Sequence, residues 1–249
     1  MNSEQSSLFI IGAGRNGTSM TAGLFHASGL YQGQALHGPS PENPKGYFED
    51  ASINQINNRI LSRYVPAPEV IDGQLYRADA PGGSNGWLSR LPLNTVPEAT
   101  VEEKNAISEH LNRGPFCLKD TRFCYLLDIW RDLAPGNLRF ICVFRRPEVA
   151  ALSVLRSLRM REGLFDVAMS VNQALDLWTL MYTHVLERHA TSGGWLFVHY
   201  EDITNGKALP AIREFSGCPI DETFPDKTLN RTAPEFPPSD AAQAVFERL

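Results

Sequence analysis

This 249-residue chain lacks most of what would mark a membrane, secreted or nucleic-acid-bound protein. Long apolar runs are missing. The first, Leu8–Ile11, stops at Gly12, too short for a signal-peptide core or a membrane span. Cysteine is scarce: Cys117, Cys124, Cys142 and Cys218 form no CxxC pair and no Cys/His cluster, which argues against a zinc site. Cys142 lies in an apolar run and reads as a buried free thiol, as in a reducing compartment. Positive charge is not in excess. Lys+Arg 23 against Asp+Glu 28 gives −5, so no global field draws nucleic acid or an anionic membrane, and any anion site must be built locally. The expectation is a cytoplasmic protein with no membrane span, no bound metal and no nucleic-acid partner. Internal repeats and linkers are also absent. With 43% apolar and 20% charged residues, the chain is neither disordered, collagen-like nor coiled-coil. Its length suits one domain over residues 1–249.

Short apolar runs alternate with helical periods. Leu8–Ile11 predicts a buried strand, then a glycine-rich turn, then a helix from Ser19 to about Ser28. Residues 31–47 read as loop, and a polar helix is predicted from Asp50 to about Tyr64. Residues 65–97 carry many Pro and Gly without a clear period, and 97–111 suggests a short helix. The whole of 65–111 is read as a substrate-side segment. Further strands are predicted at Phe116–Leu118, Arg139–Phe144 and Trp195–Val198. Helices are predicted at Tyr125–Leu133, from Pro147 to about Arg161, and over about Asp166–His189. Strands alternating with helices imply an α/β domain, a parallel sheet with helices on both faces. Candidate residues follow the strands at Gly12, Lys119, Arg145 and Tyr200, and ligands bind at the carboxyl ends of such strands.

Three chemistries compete for Gly12–Ser19, and a ligand-free tight turn is the plain alternative. Gly12-x-Gly14-x-x-Gly17 fits a dinucleotide turn, but no second strand ending in an acid follows about 20 residues on. Gly12-x4-Gly17-x-Ser19 frames a triphosphate P-loop, but Thr18 stands where lysine is needed. The third reading is a metal-free phosphate site. Backbone N–H groups at a helix start bind one phosphate, Thr18 and Ser19 add hydroxyls, and Arg15 reaches a neighbouring acidic group. Downstream, Arg145 follows a strand, Pro147 suits the first helical turn, and Ser153 lies eight residues after Arg145. An Arg fork and a hydroxyl there can face one anion.

The segment Gly14-Arg15-Asn16-Gly17-Thr18-Ser19 resembles the 5′-phosphosulfate loop of sulfotransferases that use 3′-phosphoadenosine 5′-phosphosulfate (PAPS), often G-x-x-R-S-G-T-[TS], with Asn16 in place of serine. Arg145-x-Pro147 with Ser153 is similar to that family's 3′-phosphate motif. The resemblance runs in four ordered motifs from Phe9 to about Asp202. It implies a P-loop-type sheet and a nucleotide site made of Gly14, Arg15, Asn16, Gly17, Thr18, Ser19, Arg145, Ser153 and Tyr200, the last from a Tyr200-Glu201-Asp202 that resembles the family's Y-E-D. It implies PAPS as donor, 3′,5′-adenosine diphosphate (PAP) as product, and a small-molecule, lipid or carbohydrate acceptor.

For catalysis, sulfonate transfer needs a base for the acceptor proton and cations near the leaving phosphate. Arg15 and Lys119 are the cations; Lys119-Asp120-Thr121-Arg122 resembles a bacterial K-D-P-R segment, with Thr121 for proline. Asn43-Pro44-Lys45-Gly46-Tyr47-Phe48-Glu49 resembles N-P-K-G-[YF]-[FW]-E, and Glu49 is the expected base. Asp50, Asp120 and His37 are the reserves, since the histidine of the family's K-T-H form is missing. Leu229-Asn230-Arg231 is weakly similar to an L-x-R ending, and the R-K-G-x-x-G loop of the cytosolic enzymes is absent. Among Arg146, Arg156, Arg159 and Arg161, only Arg156 reads as more than a solvated helix charge. Trp87 and Tyr76 are candidates for a pocket wall. A P-loop kinase and a non-catalytic nucleotide-binding protein are the alternatives.

Overall fold

In the computed structural model of the chain, residues 6–65, 69–71, 74–76, 86–160, 169–229 and 232–249 are described. Four strands, β1 (Ser7–Ile11), β4 (Cys117–Lys119), β5 (Leu138–Phe144) and β6 (Gly194–His199), pair in parallel in the order β4-β1-β5-β6. Phe9 sits opposite Leu118 on one side and Phe140 on the other. These strands are apolar on both faces because both are covered. Phe9, Ile11, Leu118, Phe140 and Cys142 enter one core, while Leu8, Ile10, Cys117, Ile141 and Val143 enter a second. That is the period of two in a pleated strand. On the first face lie α2 (Ala51–Leu61), α3 (Val101–Leu111), α4 (Phe123–Leu133), α5 (Pro147–Met160) and α6 (Val171–His184). On the second lie α1 (Thr18–Gly23), α7 (Tyr200–Thr204) and α8 (Leu209–Ser216). The short α9 (Asp240–Phe246) returns to the first core through Ala242 and Val245. The predicted α/β sheet is the observed one.

Several boundaries move. The first helix is shorter than predicted: after Gly23 the chain tightens into turns closed by Phe25 N–H to Ala22 O (3.1 Å) and His26 N–H to Gly23 O (3.2 Å). The long helix begins at Val171, where Ser170 and Gln173 form a reciprocal capping box. It ends in a wider π turn over Val185–His189, the buried His189 ring meeting Asp128 and the Cys124 carbonyl. The segment read as irregular holds a two-stranded antiparallel ribbon, β2 (Glu69–Ile71) with β3 (Gln74–Tyr76). Three-residue strands are too short to show a period. The side chain of Tyr76, Arg161, Arg231 and the predicted helix start at Asp166 lie outside the described residues. Among the described residues no helix is long and apolar enough to cross a membrane. All four cysteines are buried free thiols, and burial pushes Cys117 up to about 12.

Asp50 fixes where α2 begins. One carboxylate oxygen accepts from the backbone N–H of Ser52 and Ile53 (2.9 and 3.2 Å), the other from Gln34 and Ala35 (2.6 and 2.8 Å). Burial pushes its pKa up, but these bonds and the Ser52 hydroxyl outweigh it and hold the carboxyl at about 2, below the ordinary 3.8. The folded pKa is depressed, so the charged cap contributes stability above about pH 4 and loses it as the pH falls through 2. The urea midpoint of the wild type is therefore expected to fall over that window. Asp50→Asn is expected to be less stable at pH 7 and flatter between pH 5 and 2; parallel titrations would refute the role.

Candidate active site

The turn after β1 is shaped by two close approaches. At Gly14 a Cβ would lie 2.5 Å from the Trp87 ring, and at Gly17, with φ +97°, 2.4 Å from the Tyr200 ring. Only glycine fits at either. Among the described residues two non-glycines adopt positive φ, Arg15 at +68° and Phe48 at +52°. Each costs roughly 1–2 kcal/mol of backbone strain. Both stand at the site: Arg15 is in the turn, and Phe48 immediately precedes Glu49.

The left-handed turn at Arg15 throws its guanidinium across to α5, where Nε donates to Ser153 Oγ at 3.2 Å; another nitrogen donates to the Glu42 carbonyl, in the loop before α2, at 3.3 Å. The glycine turn and the Arg145–Ser153 segment, 138 residues apart at these positions, thus meet side chain to side chain. Asn16, expected in the nucleotide site, turns its side chain into the protein. It is fully buried. Its amide nitrogen donates to the carbonyls of Ala13 and Gly14, and its oxygen accepts from the Arg145 backbone N–H (3.0 Å) and Trp178 Nε1 (3.0 Å). Its side chain therefore clamps the first motif to the second. Thr18 and Ser19 open α1 and border the cavity described below.

Arg145 leaves the end of β5 and is 6% exposed. Its guanidinium carbon lies 4.6 Å from the Tyr200 ring centre, and one nitrogen donates to the Thr232 carbonyl at 3.4 Å. Burial pulls the Arg145 pKa below the usual arginine range, and burial raises the Tyr200 phenol while the neighbouring Arg145 opposes it. Arg156, one turn beyond Ser153 on α5, reaches the Thr232 hydroxyl at 3.4 Å. Ser157 donates to the Glu42 carboxylate at 2.7 Å. Arg146 is half exposed and paired with Glu148.

At the end of β4, Lys119 forms an ion pair with Glu49 and also donates to Ser19 Oγ (3.2 Å) and the Tyr47 carbonyl (3.3 Å). Both side chains are sheltered, at 2% and 13% exposure. Two of the reserve bases are committed elsewhere. Asp50 is the α2 cap. Asp120 is wholly buried, bound to Arg122, Asn54 and Asn57; burial opposes its charge, but Arg122 and these bonds hold its pKa below the ordinary value. His37 does border the cavity, its Nε2 3.0 Å from Asn54 Oδ1.

A cavity of about 620 Å³ joins these groups, within the roughly 300–1,000 Å³ of small-molecule sites. Gly14, Arg15, Gly17, Thr18, Ser19, Glu49, Lys119, Arg145, Ser153 and Tyr200 all border it, as does Trp87. Glu42, Ser157, Phe224 and Thr232 border it too and were not singled out in the sequence. Only Ser157 left a signal, lying one helical turn after Ser153. Among the described residues no three His, Cys, Asp or Glu side chains gather as they would around a metal.

A glycine turn between a buried parallel strand and a helix, with cationic side chains delivered by the next strands, defines an α/β fold of the P-loop type. Solved structures of this architecture narrow it further. The chain is similar to the sulfotransferase domain from the curacin biosynthetic pathway, with a TM-score of 0.54 and 11% identity over 98% of this chain and 96% of that one. It is similar also to sulfotransferase STF1 from Mycobacterium tuberculosis (0.52, 13%, covering 99% and 76%) and STF9 from Mycobacterium avium (0.50, 16%, covering 93% and 68%). At such identities the likeness is one of fold, and the fold is that of sulfotransferases. No protein-family model matches the chain, and no curated protein matches it in sequence.

Proposed function

We propose that this protein is a sulfotransferase that moves a sulfonate group from PAPS to a hydroxyl or amine of a small-molecule, lipid or carbohydrate acceptor. The observation that carries the reading is the Asn16 clamp. It binds the turn after β1 to the start of the Arg145 segment, so two anion-binding motifs and the Lys119–Glu49 pair face one cavity. The donor set fits a nucleotide with separated anionic groups: Arg15, Arg145, Arg156 and Lys119 border the cavity, with hydroxyls from Thr18, Ser19 and Ser153. Kinase chemistry is disfavoured because Thr18 occupies the position of the phosphate-clamping lysine.

PAPS supplies a sulfonate joined to its 5′-phosphate through a bridging oxygen. The turn N–H groups, Thr18 and Ser19 hold the 5′ end, and Arg145 and Ser153 hold the 3′-phosphate. Tyr200 flanks the base side. Glu49 takes the proton of the acceptor hydroxyl as that oxygen bonds to sulfur. Lys119 and Arg15 stabilise the negative charge that the bridging oxygen gains as its bond to sulfur breaks. PAP leaves with that electron pair.

Calorimetric titration with PAP in the absence of metal tests the reading, with ATP–Mg²⁺ and NAD alongside. Micromolar or tighter binding of PAP is expected. Metal-dependent ATP binding without PAP binding would sink it and put the kinase first.

A further inference from the structure

The cavity runs past the Lys119–Glu49 pair to a wall that the transfer chemistry does not use. Ala51, Asn54, Gln55 and Asn58 of α2 border it at spacings of three, four and seven. A helix face turned inward ordinarily carries apolar residues; this one carries the buried carboxamides of Asn54 and Asn58, with the exposed Gln55 beside them. Two are held in fixed orientation: Asn54 donates to Asp120 at 2.8 Å, and Asn58 Oδ1 accepts from Arg122 Nε at 2.5 Å. Trp87, with its aromatic ring, and Thr121 border the same space.

Thr121 is 4% exposed, and its hydroxyl has no hydrogen-bond partner in the described fold. A buried unpaired hydroxyl costs roughly 1–3 kcal/mol, and valine would fill the same volume without that cost. The charges at this end cancel in pairs, Lys119 with Glu49 and Arg122 with Asp120. Neither a strongly anionic nor a strongly cationic acceptor finds a countercharge there. Carboxamides both donate and accept, as hydroxyls do, and an aromatic face suits the C–H surface of a ring.

We infer that the acceptor is a neutral polyhydroxylated ring, of the sugar or cyclitol class, and that Thr121 positions it by bonding one of its hydroxyls. The inference rests on the sulfotransferase reading. It excludes flat phenols and steroids as preferred acceptors, because a wall built to bond hydroxyls is left unsatisfied by molecules that lack them.

The test measures PAP release from PAPS with D-glucose, sucrose and myo-inositol, and with 2-naphthol as the apolar probe, on the full chain. At least one polyol is expected to exceed 2-naphthol by a hundredfold in kcat/KM. Thr121→Val is expected to raise KM for that polyol about tenfold, with kcat and PAP affinity within about twofold and a melting temperature equal to or above the wild type. Thr121→Ser is expected to restore KM. A preference for 2-naphthol, transfer to none of the polyols despite PAP binding, or an unchanged KM in Thr121→Val overturns the inference. Wild-type protein that does not bind PAP overturns the sulfotransferase reading instead.

Discussion

Arg145→Ala is expected to weaken PAP binding by about a hundredfold or more while leaving the chain folded. Truncating one partner of a buried, charge-assisted contact costs about 2–5 kcal/mol in binding, or roughly 30-fold to several thousandfold. Arg145 belongs at the upper end because it is nearly fully buried and its guanidinium lies against the Tyr200 ring, which limits its freedom before any ligand arrives. The fold survives because the clamp to Asn16 uses the backbone N–H of residue 145, which alanine keeps. Loss of the cation–ring contact costs about 0.5–2 kcal/mol of stability. Arg145→Lys keeps the charge but not the planar fork, so it falls between wild type and alanine. Calorimetry on all three proteins decides the matter, and an alanine variant within threefold of wild type would remove Arg145 from the nucleotide site.

The sheet was legible because each central strand is an unbroken apolar run ending at a polar or glycine residue. Such runs occur where both faces are buried, and the chemistry follows where they stop. Lys119, Arg145 and Tyr200 could be placed at one edge for that reason. The partner of each residue was not legible. Asn16 lies between Gly14 and Gly17, where a polar side chain reads as a ligand contact, yet the groups that consume its oxygen are 129 and 162 residues away. Glu49 and Lys119 are 70 residues apart, and nothing local announces their pairing. The left-handed backbone at Phe48 was equally hidden, since an aromatic residue gives no hint of positive φ. Asp50 had the look of a reserve base because a carboxylate beside Glu49 reads the same in a helix cap and in an active site. Only its four backbone donors tell the roles apart.

Glu49→Gln is expected to lower kcat by about 10²–10⁴-fold, the range for a positioned general base, with PAP affinity changed only a few-fold. The difficulty is that Glu49 has a second role. Its carboxylate neutralises Lys119, which is 2% exposed and has no other carboxylate among its bonds in the described fold. Removing one partner of a sheltered ion pair costs about 3–5 kcal/mol, whereas replacing both partners is often neutral. Lost turnover in the single variant could therefore report a displaced Lys119 rather than a missing base. The pair Glu49→Gln with Lys119→Met separates the two roles. If Glu49 were only a counter-ion, the double variant would be as stable as wild type and would turn over as fast as Lys119→Met alone, whose own loss is that of the cation. If Glu49 takes the proton, the double variant regains most of its melting temperature but falls below Lys119→Met in kcat by the factor that the base contributes. Single-turnover rates and thermal unfolding on the four proteins of this cycle read both quantities. A single variant that keeps kcat within threefold would transfer the role of base to His37, the remaining candidate that borders the cavity.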